Sequence, residues 1–262
     1  AAWLVETDDD AAMEDDDPQS VAEYTVDIFK GLSNIEAARL PRPAYMDSQA
    51  DLNRRMRGIL VDWLVGVQTK YKLKTETLFL SVSLIDRYLE VQQVPRKRLQ
   101  LCGVTAMLIA AKFEEIYPPE VRDFVYITDN AYTKDDILNT EVAMLTRLQF
   151  ALCTPTSCHF LDRYTRLNGC TEQHRFMMQY LLELTLVDYR MIRYSPSQLA
   201  AAAVLLSNKL LKQKPAWPAA MVSETQFSEA GIKGCARDMC SVLEDARDES
   251  NQLKAVRRKF SQ

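Results

Sequence analysis

Glycine is scarce in this 262-residue chain, with seven in all, and histidine scarcer, with two. No apolar run approaches the roughly 20 residues that a bilayer-spanning helix needs, so membrane insertion is not expected. Catalytic signatures are missing as well. There is no G-x-x-x-x-G-K-[ST], no G-x-S-x-G and no H-E-x-x-H, and the GIKG of residues 231 to 234 lacks a wider glycine pattern. The six cysteines (102, 153, 158, 170, 235 and 240) form no C-x-x-C pair, which leaves metal binding without a ligand set. Their places within helical patterns suit free thiols used as small core residues in a reducing compartment. Cys158 and His159 are neighbours in sequence and would point about 100° apart on a helix, a poor catalytic dyad.

Residues 1 to 17 contain no base and hold Glu6, Asp8, Asp9, Asp10, Glu14, Asp15, Asp16 and Asp17, so the formal charge of −4 conceals a slightly basic remainder. An acidic segment without an apolar stretch or basic flank is not a secretory signal, and residues 1–19 are expected to be disordered. Basic clusters at Arg54, Arg55 and Arg57, at Arg96 to Arg98, and at Arg257 to Lys259 are short and separated. They form no continuous stripe, and nucleic-acid binding is not expected.

What the chain does have is apolar residues at helical spacing. VAEYTVDIFKGL (21 to 32) reads as an amphipathic helix, followed by an extended linker around Pro41 and Pro43. A helix is expected to start at Asp47/Ser48 and to carry Leu52, Met56, Ile59, Leu60, Trp63, Leu64, Val67 and Tyr71, with apolar residues around most of its circumference. Thr75 is read as capping a helix to Leu89, Pro95 as preceding one that ends near Lys112, and Val121 to Tyr126 as a short helical turn. Thr133 with Asp136 resembles a capping box opening a fifth helix to about Leu148. A second half restarts at Thr154 and Pro155, its first helix stopping at Asn168 and Gly169. Helices follow at about 172 to 190, 196 to 212 and 228 to 246, with PAWPAA interrupting between the last two. GVTAMLIAAK (103 to 112) also aligns with residues 200 to 209 at an offset of 97, matching Gly103 to Ala200, Ala106 to Ala203 and Lys112 to Lys209. Each half is therefore expected to wind around a central helix with a small-residue face. Chance similarity between alanine-rich helices is the alternative.

Three sets of residues resist a purely structural reading. Glu141 stands between Ile137, Leu145 and Leu148, a carboxylate in an apolar stripe that calls either for a base or external donor or for a route to water. Lys112 suits a helix C-terminus, as Lys209 does, yet it is followed by FEEIYPPE, which places Phe113, Ile116 and Tyr117 beside a proline break. Arg57 and Asp86 lie in otherwise apolar stripes and invite a structural ion pair between helices.

MRGILVDWLVGV (56 to 67), LIDRYL (84 to 89), LQLCGVTAMLIAAKFEEIYPPEV (99 to 121) and FVYITDNAYTK (124 to 134) resemble mitotic cyclins, closest to the A type. The resemblance implies an all-α fold of two tandem five-helix cyclin boxes with an N-terminal helix and a C-terminal helical extension. The expected division is 20–48 for the N-terminal helix and linker, 49–150 for the first box and 151–262 for the second box and tail. The family's five box positions fall here on Arg57, Asp86, Leu101, Lys112 and Glu141, and all five carry the expected residue. By resemblance, Lys112 and Glu141 hydrogen-bond the C-helix of a cyclin-dependent kinase in a heterodimer, with Phe113, Ile116, Tyr117 and Leu145 packed around it and Ile28 as a further contact. Met56, Ile59, Leu60 and Trp63, with Leu99 and Gln100 at the edge, would form a groove for R-x-L substrate and inhibitor peptides. Gly66 stands where similar cyclins carry an acid facing the peptide arginine. The implied protein is a nuclear and cytoplasmic regulatory subunit without catalysis or cofactor. The rival reading is a cyclin-fold, transcription-factor-like adaptor, which should carry a continuous basic stripe.

Overall fold

The computed structural model describes residues 22–261, and the expectation for the acidic segment lies outside them. Twelve α-helices and no strand occur among the described residues: α1 (Thr25–Arg39), α2 (Arg54–Tyr71), α3 (Thr75–Val91), α4 (Leu99–Glu114), α5 (Val121–Ile127), α6 (Lys134–Arg147), α7 (Ser157–Leu167), α8 (Glu172–Val187), α9 (Pro196–Leu210), α10 (Ala219–Thr225), α11 (Glu229–Arg247) and α12 (Ala255–Lys259). None is long and apolar enough to cross a membrane.

Each half is wound around one buried helix. In α4, Leu99 and every residue from Leu101 to Ala111 are buried, and the helix packs on α2, α3, α5 and α6. In α9, every residue from Ala200 to Asn208 is buried, and the helix packs on α7, α8 and α11. Small side chains permit this closeness. A Cβ on Gly103 would lie 2.6 Å from Leu60 Cδ1, so glycine there lets α2 settle onto α4. The offset of 97 extends beyond the matched segment: applied to the starts of α3, α4, α5 and α6 it gives 172, 196, 218 and 231, against observed starts of 172, 196, 219 and 229. The two halves thus share a helix order as well as a motif.

Several helix boundaries differ from the sequence reading, and side chains explain why. Asp47 and Ser48 lie in a 3-10 turn, Tyr45–Ser48, rather than at a helix start. The α2 cap is Asn53, whose Oδ1 accepts from Met56 N at 3.0 Å. Gln49 explains the delay, because its Nε2 donates to the carbonyls of Leu89 and Gln92 and pins the intervening chain to the end of α3. Thr156, not Thr154, caps α7, through a capping box completed by His159. The first helix runs on to Arg39, and α10 and α12 are additions to the helices expected from sequence. The Thr133/Asp136 capping box on α6 is present as read, and Gly169 has φ +58°, which its missing Cβ allows.

The halves are joined by buried polar contacts. Arg57 Nε and Nη2 each donate to one Asp86 carboxylate oxygen at 2.7 Å, and Nη1 donates to the Leu186 carbonyl of α8 at 2.6 Å. Tyr45 Oη donates to Asp86 Oδ1 at 2.7 Å, and Tyr189 Oη accepts from Met46 N at 3.0 Å. Burial and the neighbouring Asp86 charge push the Tyr45 phenol far above its ordinary value. Burial works to lower the Arg57 pKa, but Asp86 more than offsets it and the net shift is upward. On the far side, Glu36 of α1 is buried and accepts from Ser197 N (3.0 Å) and Ser197 Oγ (2.8 Å), capping the N-terminus of α9.

Candidate functional site

Lys112 is in the last turn of α4 and Glu141 in the middle of α6, and packing of these two helices brings the side chains together. Lys112 Nζ donates to Glu141 Oε1 at 2.7 Å and to Oε2 at 2.9 Å. The Glu141 side chain is 13% exposed and that of Lys112 45% exposed. Of the alternatives open for Glu141, a base is the one the fold supplies, and it comes from the same chain.

Beyond Lys112 the backbone leaves the helix at Glu115, and this residue holds the loop in place. Glu115 Oε1 accepts from Thr77 Oγ1 at 2.5 Å and Lys74 N at 2.7 Å, while Lys74 Nζ donates to the Glu114 carbonyl at 2.9 Å. Glu120 and Asp123 then close a capping box at the start of α5. The last turn of α4 presents Phe113, and the loop anchored at both ends presents Ile116 and Tyr117, to solvent at 51%, 79% and 91% exposure. Apolar groups so exposed on a fixed loop suit recognition. Leu145 lies partly buried one turn beyond Glu141, and Val142, which sequence reasoning missed, is exposed beside it.

Lys209 supplies an internal control. It pairs with Glu229 of α11 at 2.6 Å, but both side chains are more than 40% exposed, and LLKQK follows where the first half has FEEIY. The helix-end lysine is thus a shared structural device, while the partly buried carboxylate and the apolar loop belong to the first half alone.

The remaining sequence-predicted residues divide. Ile28 is 43% exposed on α1, a helix anchored on the second half through Phe29 against Phe160, with ring centroids 6.0 Å apart. Ile59 is half-exposed, and Met56, Trp63 and Gln100 are partly exposed. Leu60 and Leu99 are buried core residues, so the open part of this face is narrower than expected. Gly66 is exposed, and a Cβ added to it would meet no atom within 4 Å. Glu36 and Glu115, both anchoring carboxylates, were not singled out from sequence, because nothing in their local pattern distinguishes them from surface glutamates.

Two helical units of matching order, a buried ion pair whose arginine also reaches across to the second unit, and a fixed loop with exposed apolar side chains define an all-helical protein of two similar units. The chain belongs to the cyclin family: it matches Cyclin, N-terminal domain over residues 27–153 and Cyclin, C-terminal domain over residues 155–262. It is 45% identical over 246 residues to a G2/mitotic-specific cyclin-B of Marthasterias glacialis, covering 94% of this chain and 63% of that protein. It is 43% identical over 248 residues to a G2/mitotic-specific cyclin-B of Arbacia punctulata, covering 94% and 61%. Against a G2/mitotic-specific cyclin-B2 of Bos taurus the identity is 40% over 260 residues, covering 99% and 65%. The chain thus spans less than two thirds of the length of these curated relatives, which are of the B type within the mitotic group. A viral cyclin from herpesvirus saimiri shares the fold at a TM-score of 0.76 and 19% identity, over 88% of this chain and 99% of that one. A chain of the CAK complex from Chaetomium thermophilum bound to ATP-gamma-S aligns at a TM-score of 0.56 and 14% identity, over 94% and 84%.

Proposed function

We propose that this chain is a regulatory subunit that binds and activates a cyclin-dependent protein kinase in cell-cycle control, in a heterodimer. Family membership and the mitotic relatives support the class of partner. The observation that carries the reading is the Lys112–Glu141 pair with Phe113, Ile116 and Tyr117 held exposed beside it. Burying each of these side chains against a partner contributes roughly 1.5–3 kcal/mol. The charged pair supplies direction, with donors and acceptors left for the ends of a helix. The kinase helix would move inward on this face and complete the ion pair its own chemistry needs. Phosphoryl transfer belongs to the partner. Segments with R-x-L-type motifs would dock at Met56, Ile59, Trp63 and Gln100, and the complex would work in the nucleus and cytoplasm.

The test is to mix the purified chain with candidate cyclin-dependent kinases and follow phosphoryl transfer to a peptide substrate. Activation should appear with the wild-type chain and be lost with Ile116→Asp, whose thermal midpoint should not change. Failure to activate any candidate kinase, or full activation by the variant, would count against the proposal.

A further inference from the structure

Between Lys112 and the capping box at Glu120, the chain has to hold Ile116 and Tyr117 in place without packing them, since both are exposed. Pro118 and Pro119 fix their own φ and restrict Tyr117 to extended backbone, but they offer no N–H that could tie the loop to a neighbour. The tie comes from α3. That helix has Lys74 at its N-cap, a residue whose side chain makes no capping hydrogen bond.

Glu115 supplies the missing cap from another segment. Its Oε1 accepts from Lys74 N at 2.7 Å and from Thr77 Oγ1, at the N3 position, at 2.5 Å. A glutamate at N3 commonly reaches back to the N-cap N–H, and here a carboxylate 38 to 41 residues further along the chain takes that place. Its charge also lies at the positive end of the α3 dipole. Thr77 is fully buried, and Ser81 Oγ donates to its carbonyl at 2.6 Å, so the hydroxyl that grips Glu115 is itself fixed.

The second box holds the same turn. Gln179 Nε2 of α8 donates to Thr75 Oγ1 at 2.8 Å, and α7 packs against α3. Thr75 is the first residue of α3 and follows directly on the N–H that Glu115 accepts. The start of α3 is therefore held by the loop on one side and by the second box on the other.

We propose that Glu115 is a positioning residue for kinase activation, setting where Ile116 and Tyr117 stand relative to the Lys112–Glu141 pair, and that Gln179 braces the same turn from the second box. The proposal rests on the kinase-binding reading above. Without the Glu115 anchor the loop keeps its exposed side chains but loses their preset arrangement, and binding has to bear the cost of ordering them. The carboxylate works as an acceptor for two donors of its own chain, so its charge is dispensable where its oxygen is not.

The test compares Glu115→Ala, Glu115→Gln and Gln179→Ala in the full chain. In the free protein, amide order parameters at Ile116 and Tyr117 should stand near the rigid value of about 0.85 in the wild type and fall below about 0.6 in Glu115→Ala, with α4 unchanged. Unchanged order parameters overturn the proposal whatever the partner is. Against a cyclin-dependent kinase that the wild-type chain activates, Glu115→Ala should weaken binding about tenfold, while Glu115→Gln, which keeps the acceptor oxygen, should stay within about threefold of wild type. Gln179→Ala should lose about two- to threefold, the share of one neutral hydrogen bond. In an Ile116→Ala/Tyr117→Ala background, Glu115→Ala should add less than about twofold, because nothing is left to position. Equal losses from Glu115→Gln and Glu115→Ala would make the charge itself the contact and overturn the positioning role, as would full additivity in the truncated background. A Gln179→Ala chain indistinguishable from wild type overturns the brace from the second box. If the wild-type chain activates no kinase, the kinase reading fails while the order parameters still decide the anchor.

Discussion

Arg57 holds both carboxylate oxygens of Asp86 at 2.7 Å, in a pair whose side chains are 1% and 7% exposed. The pair links α2 to α3 inside the first box, and its spare Nη1 reaches the second box at Leu186. Removing one member strands a charge in the interior, where each uncompensated ion costs several kcal/mol. Arg57→Ala should therefore destabilise the chain by about 3–5 kcal/mol in urea unfolding. The double variant Arg57→Met with Asp86→Leu should lose much less than the sum of the two single changes, because no charge is left unpaired. Additive losses would show that the pair does not act as a unit.

The Lys112–Glu141 pair predicts the reverse balance. Lys112 is nearly half exposed, so the bridge is screened by water and Glu141→Ala should cost no more than about 1 kcal/mol of stability. Binding to the proposed partner kinase should nevertheless weaken by at least about tenfold, read in a pulldown or by calorimetry. Unchanged affinity would remove this pair from the interface.

Glu183 is fully buried and its Oε2 has no hydrogen-bond partner among the described residues; burial pushes its carboxyl above the ordinary value, with Lys259 acting in the opposite direction. For an acid whose folded pKa is raised, the folded state retains a proton that the unfolded state has released, so stability falls as pH rises from the unfolded value towards the folded one. Lys259→Met should raise the Glu183 pKa further and steepen that loss. Unfolding midpoints should thus separate from wild type more at pH 8 than at pH 5. A separation that is constant with pH would exclude the carboxyl as its source.

Gly66 sets an expectation for peptide docking. The exposed α2 face has no acid at this position, and the nearby Asp62 already accepts from Ala255 N. Binding of an R-x-L peptide should depend little on its arginine, and Gly66→Glu should create that dependence. Space around Gly66 is open, and loss of a mid-helix glycine should also raise stability by about 0.5–1 kcal/mol. Anisotropy with arginine and alanine peptides on both proteins checks the point; strong arginine dependence in the wild type would overturn it.

Much of this is legible along the chain. Apolar residues at helical spacing mark most of the helices, and the matched segments at offset 97 point to the paired central helices α4 and α9. The start of α2 is not legible, because Gln49 spends its amide on the carbonyls of α3, a contact that no local pattern encodes. The short α10 is hidden by the prolines around it.

The sequence by itself determined the helical class, the two-box order and the residue types around Lys112 and Glu141, because periodicity, capping and side-chain chemistry are local properties. Only the tertiary structure decided which charges meet. Lys112 finds Glu141 29 residues away, Glu36 caps a helix 161 residues away, and Leu60 and Leu99 sink into the core while Ile59 stays out. Those pairings depend on how helices pack side by side, and helix packing depends on every contact at the interface rather than on any one segment.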